Sequence, residues 1–314
     1  MFFLAPCPLP LAPCPYSMPK GQPFTALCQL AARLSQPRVA DLHVHTTASD
    51  GEFTPSQVVL HAMRAKLSAV AITDHDTLAS VAPAVEAAAG LGHAAPTIIP
   101  GVEVSAEFAG REVHLLGYFV NPADGRLTRM LDQICVRRRE RFRAFVAKLA
   151  ATGVHFPPGL ADAEEAKTVS LGRRHVAGLL VRVGVVRGRF AAFQRIMNPI
   201  TSDITVNHRV PAADALRAIR DAGGVASFAH PPDEVDEATL TQLRELGLQA
   251  IEAAFPAASA SHTTRLRGFV ATLGLAVTGG SDCHGPDPIG RMIGARGVTR
   301  AELTVLRELA GRSA

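Results

Sequence analysis

Short apolar runs alternate with helix-length segments along this chain, and most of the runs end on a histidine or a carboxylate. Such alternation confines the fold to repeated strand–helix units, which imply parallel strands joined by right-handed crossovers. From Val39 a strand leads into the segment DLHVHTTASDG. Thr54-Pro55-Ser56-Gln57 then supplies an N-cap, an N1 proline and a capping-box glutamine for a helix reaching about Lys66. A strand is expected over Ala69–Thr73, an alanine-rich helix over Leu78–Gly90, and strands over Thr97–Ala106 and Glu112–Val120. The rhythm resumes with a helix at Pro211–Ala222 and strands at Val225–Ala229, Gln249–Ala254 and Leu275–Gly279. Helices at Glu237–Leu246, Ser259–Leu273 and Arg300–Leu309 separate and follow them. The expected class is α/β, with residues 38–120 and 211–314 forming a barrel.

Between Asn121 and Val210 the strand rhythm stops. A long basic helix (Leu127–Ala151), a turn at Thr152-Gly153 and a loop through Pro157-Pro158-Gly159 precede short helices around Arg174–Val183 and Phe190–Met197. Residues 121–210 therefore read as a helical insertion, and covering the mouth of the barrel is its natural task. Residues 1–37 read as a disordered Pro-rich extension, or as lying upstream of a start near Met18. They repeat LAPCP at Leu4–Pro8 and Leu11–Pro15, with prolines too dense for a helix and without the pattern of a secretory signal.

At 47% apolar and 19% charged, the 314 residues have the balance of a soluble globular protein. The isoelectric point near 9.0 rests almost wholly on arginine, which suits bidentate phosphate recognition but also follows from compositional bias. No apolar run has the length of a transmembrane helix, so no membrane partner is expected. Five cysteines without a CxxC pair point to a reducing cytoplasm.

His43 and His45, one residue apart on a strand, point to the same side and can share one metal ion. Asp50 follows in the next loop. AVAITDHD brings His75, TIIPGVEVS brings Glu103, REVHLLGYFV brings His114, GGVASFAHPP brings His230, and AVTGGSDCHG brings Asp282 and His284. Nearly all of these sit at or near strand C-termini, where barrel enzymes assemble their sites. A mononuclear catalytic ion uses about three protein ligands, so six imidazoles and three carboxylates imply two or three divalent ions. The mixed donor set favours Mn, Fe or Zn over Ca or Mg, with Mn preferred. Paired ions generate hydroxide from a bridging water and hold the oxygens of a phosphoester. Arg173, Arg174 and His175 in the insertion offer cations to a phosphate.

A lone strand-end histidine is usually a packing residue; it is the number and order of these nine that count. His61, His93, His155, His208 and His262 fall on helices or loops and read as non-ligands. Arg137, Arg138, Arg139, Arg141 and Arg143 read as a solvated helix face, with RNA contact as the lesser alternative. Asp74 and Asp76 read as orienting His75 or its neighbours, and Cys283 as packing.

DLHVHTTASDG, AITDHD, PGVEVS, VHLLGY, AHP and GGSDCHG together resemble the PHP family, the polymerase and histidinol phosphatase domain, from about Asp41 to Gly290. The resemblance implies a distorted seven-stranded βα barrel with a trinuclear metal site. It would place one ion on His43, His45, Glu103 and Asp282, a second on Glu103, His114 and His230, and a third on Asp50, His75 and His284. SLGRRHVAGLLV resembles the GRPH motif of the branch acting on nucleoside 3′,5′-bisphosphates, which includes 5′-to-3′ exoribonucleases of the RNase AM type. Arg173 and His175 match its phosphate-holding positions, and Arg174 replaces its proline.

The expected activity is metal-dependent phosphoesterase, with metal-bound hydroxide attacking the phosphate and Asp282, His230 and Arg173 in the catalytic machinery. The expected substrates are nucleoside 3′,5′-bisphosphates or short 5′-phosphorylated RNA or DNA, with no protein partner. One rival is a phosphatase for another small monoester such as histidinol phosphate. Another is a non-catalytic metal-binding accessory module.

Overall fold

The computed structural model describes residues 37–286 and 290–311. The extension expected over residues 1–37 lies outside the described residues, apart from Pro37. Strands β1 (Arg38–Asp41), β2 (Ala69–Ile72), β3 (Thr97–Phe108), β4 (Arg111–Tyr118), β5 (Val210–Pro211), β6 (Val225–Phe228), β7 (Ala250–Ala254), β8 (Ala276–Gly279) and β9 (Val298–Thr299) form one mixed sheet. Its order is β8-β7-β6-β4-β3-β2-β1-β9, with β5 pairing β3. The sheet curls until its ends meet. The Leu42 N–H donates to the Gly279 carbonyl at 3.2 Å, the His45 N–H to the Cys283 carbonyl at 3.0 Å, and Val44 bridges Cys283. Seven strands (β1–β4 and β6–β8) thus close the expected distorted barrel.

One expectation about direction fails. β1, β2 and β3 run parallel, as do β6, β7 and β8, but β4 is antiparallel to both its neighbours, β3 and β6. The cause is local, because only Ala109 and Gly110, both at positive φ, separate β3 from β4. That is a hairpin turn, with no room for a crossover helix. The reversal explains why His114 lies early in its strand. Its register partner is Ser105, so the start of β4 sits beside the end of β3.

Helices α1 (Pro55–Arg64), α2 (Val81–Gly90), α8 (Ala212–Asp221), α9 (Glu237–Glu245), α10 (Ala260–Leu273) and α11 (Arg300–Leu309) cover the barrel. The predicted capping box at Thr54 is present: Thr54 Oγ1 accepts from the Gln57 N–H, and Gln57 Oε1 from the Thr54 N–H at 2.8 Å. The strands read as continuous apolar runs because they are buried on both faces; β2 and β6 contain only buried residues.

Between β4 and β5 lie α3 (Gly125–Ala151), α4 (Leu160–Glu165), α5 (Arg173–Arg182), α6 (Arg189–Ala192), a π-turn at Phe193–Met197 and α7 (Asn198–Thr201). The 27 residues of α3 span about 40 Å at the helical rise. Leu127, Leu131 and Ile134 from its first half join the barrel core, while Phe142, Phe145 and Leu149 from its second half pack with Leu171, Val176, Leu179 and Met197. One helix thus anchors the smaller helical core to the barrel. Among the described residues no helix is long and apolar enough to cross a membrane.

Candidate active site

The nine predicted ligands converge at the end of the barrel where β1, β2 and β3 finish. His43 and His45 alternate along the segment that continues β1, which turns both rings inward. Two glycines allow the close approach this requires. A Cβ on Gly280 would lie 2.3 Å from the His43 nitrogen, and one on Gly51 2.6 Å from the His45 carbonyl carbon. Glu103, fully buried on β3, stands among five imidazoles. Its Oε2 lies 3.2 Å from His43 Nε2, 3.3 Å from His45 Nε2 and 3.1 Å from His75 Nδ1. Its Oε1 lies 2.9 Å from both His114 Nδ1 and His230 Nε2. Asp282 Oδ1 approaches His45 Nε2 at 3.3 Å, His284 Nδ1 at 3.4 Å and His43 Nε2 at 3.6 Å. Asp50 Oδ1 lies 3.3 Å from His284 Nε2 and 3.9 Å from His75 Nε2.

All nine fall into sets whose ligand atoms lie within 4.8 Å of one another: His45, Asp50, His75 and His284; His43, Glu103 and His230; His43, His45 and Asp282; His75, Glu103 and His114. The donor chemistry fits cations. Buried His43 Nε2, both His45 ring nitrogens, His75 Nδ1, Asp50 Oδ1 and Glu103 Oε2 have no aligned hydrogen-bond partner. Each such orphan costs about 1–3 kcal/mol in a protein interior, and coordination of a divalent ion removes that cost. Nitrogen and oxygen donors in this mixture suit borderline first-row metals.

The charges are strongly coupled. Burial opposes protonation of His45, but Asp282 and Glu103 outweigh it and lift the imidazole to about 9. His114, also buried, rises to about 10 against Glu103 and Glu112. Burial holds His75 well below the usual histidine range. Burial would raise Glu103, yet His75, His43 and His114 hold its carboxyl well below the ordinary value. Three described residues of the site adopt the left-handed backbone: Asp76 (φ 53), His230 (φ 29) and Asp282 (φ 48). Such conformations cost roughly 1–3 kcal/mol each and persist where the surroundings enforce them.

A second layer fixes the first. Glu252 on β7 accepts from His43 Nδ1 at 3.0 Å and from the His230 N–H at 2.7 Å, which aims His43 Nε2 at the centre. Asp74 accepts from the Thr46 N–H (2.7 Å) and the Ser49 hydroxyl (2.5 Å), pinning the loop after His45. Asp76 accepts from the Ser105 N–H at 2.7 Å and from Arg138 Nε at 2.5 Å. Both aspartates thus hold neighbours of His75, and His75 itself makes no hydrogen bond to them.

A 220 Å³ cavity opens over the cluster. The helical segment supplies its far wall, including Arg138, Arg141, Arg173, Arg174 and Phe193. The Arg173 guanidinium lies 5.8 Å over the Phe193 ring. Arg174 Nε is buried without a hydrogen-bond partner, 3.9 Å from Asp50 Oδ2. His175 lies elsewhere than the cavity: its Nδ1 accepts from the Gly172 N–H at 2.9 Å and closes the first turn of α5. It supports the loop that carries Arg173.

Several site residues departed from their sequence reading or were missed. Arg138, expected on a solvated face, is buried and donates to Asp76, to Ser105 Oγ (2.7 Å) and to the Leu171 carbonyl (3.0 Å). The signal existed, because Arg138 falls on the apolar stripe Leu127, Leu131, Ile134, Phe142, Phe145, Leu149 of α3. Arg141 turns inward too, donating to the Val206 carbonyl at 2.8 Å. His208 is buried in the cavity wall with Nδ1 unpartnered. Burial and the nearby Arg138 push it down to about 2. Glu112 lines the cavity and pairs with His114 Nε2 at 3.3 Å. Glu252 was legible only as one carboxylate within the apolar run AIEAA. Cys283 packs in the core as expected, His61 packs on Phe53, and His262 bonds the Pro231 carbonyl.

A closed α/β barrel with such a donor cluster in its mouth is the make-up of a metal-dependent hydrolase. The chain belongs to the PHP domain family, which its residues 41–190 match. It is similar to a 3′,5′-nucleoside bisphosphate phosphatase from Chromobacterium violaceum, with 31% identity over 81% of this chain and 90% of the relative. It is also similar to the 5′-3′ exoribonuclease Rnm of Escherichia coli, with 32% identity over 62% of this chain and 65% of that protein. Among solved structures, one described as an amidohydrolase from Chromobacterium violaceum, with bound sulfate and no metal, superposes with a TM-score of 0.76. That superposition covers 87% of this chain and 96% of the other at 30% identity.

Proposed function

We propose that this protein hydrolyses phosphate esters of nucleoside 3′,5′-bisphosphates or short 5′-phosphorylated oligonucleotides. The observation that carries the reading is the opposition of two walls: nine convergent metal-ligand side chains below, and the arginines of the helical segment above. The two relatives named for bisphosphates and 5′-3′ exoribonuclease activity support the same class. On this reading residues 38–120 and 211–314 are the catalytic barrel, and residues 121–210 its cap.

Two or three divalent ions, with Mn preferred, would sit on the nine ligands as the resemblance distributes them; bound there, they supply an activated water and neutralise developing charge on the phosphoryl oxygens. The residues of the chain do the rest. Glu103 is the shared ligand at the centre. Asp282 and His230 hold the reacting end of the site, both on left-handed backbone fixed by neighbouring strands. Arg173 binds the phosphate that is not attacked, pre-set by its contact with Phe193. Arg174 adds a second cation at the rim, and His175 positions both through Gly172. Apolar Phe142, Phe145 and Leu171 line the upper wall, where they exclude water and strengthen these charge contacts.

The test is a side-by-side assay of Mn²⁺-loaded protein on adenosine 3′,5′-bisphosphate, histidinol phosphate and 5′-phosphorylated RNA. The reading expects the first or third to be preferred, with Arg173→Ala raising KM for the bisphosphate more than for a monophosphate. Preference for histidinol phosphate, or equal KM effects, would overturn it.

A further inference from the structure

Three grooves leave the central cavity, and their charges differ. One shares His230 and Asp282 with the cavity and carries Arg291 against Asp233 and Asp282. A second shares His114 and Arg173 and carries Arg111 and Arg173 against Glu112, Glu234 and Asp236. The third shares Asp50 and Arg174 and has a volume of 640 Å³. It carries four full cations (Lys167, Arg174, Arg182 and Arg189) against Asp50, Glu52 and Glu164. Of these three grooves, the third has cations in excess. Lys167 and Arg182 share the one carboxylate of Glu164, at 3.3 and 3.0 Å. At the junction Arg174 approaches Asp50 only at 3.9 Å, and its Nε has no hydrogen-bond partner.

The groove runs to Gly188 and Arg189, the latter paired with Glu52. The next residue, Phe190, is 79% exposed, the most exposed large apolar side chain among the described residues. Arg187 and Arg195 flank it, both exposed and without an ion-pair partner among the described residues. This solvent-facing phenyl ring, with unpaired arginines near it in sequence, is not among the residues packed in the helical core. It has the composition of a stacking platform for single-stranded nucleic acid, where bases lie on aromatic rings and cations follow the backbone.

We infer that the groove from Arg174 to Arg189 carries the 3′ continuation of a single-stranded 5′-phosphorylated polynucleotide, with a downstream base stacked on Phe190. The inference rests on the proposed activity toward phosphate esters, and adds the path that the strand beyond the cleaved phosphate takes over the helical segment. Phe190 does not line the central cavity, so a mononucleoside bisphosphate and a longer strand separate its role from that of the cavity.

The experiment compares wild type with Phe190→Ala and Arg187→Ala in the Mn²⁺-loaded full chain. Substrates are adenosine 3′,5′-bisphosphate and a 5′-phosphorylated hexaribonucleotide, and binding of a fluorescent hexaribonucleotide is followed by anisotropy. Stacking of one base predicts a loss of roughly 5- to 150-fold in kcat/KM and in affinity for the hexamer with Phe190→Ala. Turnover of the bisphosphate should stay within about twofold, and Arg187→Ala should weaken hexamer binding and flatten its salt dependence. Unchanged hexamer binding in both variants, or equal losses on the two substrates, would overturn the inference. If wild type cleaves neither substrate, the proposed activity fails; the groove is then judged by anisotropy alone, where absence of hexamer binding refutes it.

Discussion

Replacing Arg138 by methionine tests how the helical segment is held against the catalytic barrel. The guanidinium donates to Asp76, Ser105 and the Leu171 carbonyl, joining α3 to the loop after β2, to β3 and to the segment before Arg173. Arg138 is 8% exposed and its partner Asp76 is fully buried. Methionine keeps the stem but leaves the Asp76 carboxylate facing an apolar neighbour, so the change should cost about 3–5 kcal/mol, the range for breaking a buried pair from one side. At roughly 2–4 °C per kcal/mol for a chain of this size class, Tm should fall by about 6–20 °C. The double variant Arg138→Met/Asp76→Asn removes the stranded charge, and its loss should be smaller than the sum of the singles by about 0.5–3 kcal/mol. Urea denaturation of metal-free protein, with all three variants measured together, reads these differences. A single-variant cost below about 1 kcal/mol, or strict additivity, would refute the claim that this pair ties cap to barrel.

Three further outcomes follow from the same geometry. Glu252→Gln removes the carboxylate behind His43 and His230 and should weaken Mn²⁺ binding about 10- to 100-fold with the fold intact; competition with a chromophoric chelator measures it, and unchanged affinity would refute the role. Gly280→Ala places a methyl 2.3 Å from the His43 nitrogen, so it should lower both Tm and bound metal; a variant with wild-type metal content would show that the strands can separate there without consequence. Burial pushes the Cys135 thiol up to about 12 and the Cys283 thiol up to about 11. Thiolate therefore stays scarce between pH 7 and 9, and native protein treated with iodoacetamide should remain unlabelled at both positions by site-resolved mass spectrometry. Labelling before unfolding would contradict their burial.

The nine converging side chains were legible because each closes or adjoins an apolar run of strand length, and strand periodicity fixes which neighbours share a face. The βα rhythm likewise located the barrel. Strand direction was less accessible: Ala109 and Gly110 mark a hairpin, but the alternation elsewhere argued for a crossover, and the tight turn prevailed. Arg138 was misread because charge identity outweighed position on the stripe of α3, although a buried partner, Asp76, lies 62 residues away. Glu252 and His208 owe their places to contacts between distant segments, and neither carries a local signal strong enough to separate it from a packing residue. The roles of Arg173 and His175 separate for a similar reason: they lie two residues apart on one helix, yet one side chain enters the cavity and the other caps the backbone.

The proposed activity depends on the convergence of eight candidate ligand side chains around Glu103. Equilibrium dialysis of metal-free protein against Mn²⁺, with the bound ion counted per chain, tests it most directly in wild type and Glu103→Ala. Wild type should hold two or three ions, since roughly three protein ligands serve each, and Glu103→Ala should lose at least one while keeping its circular dichroism spectrum. Wild type without stoichiometric metal, or a Glu103→Ala variant with an undiminished count, would contradict the central claim.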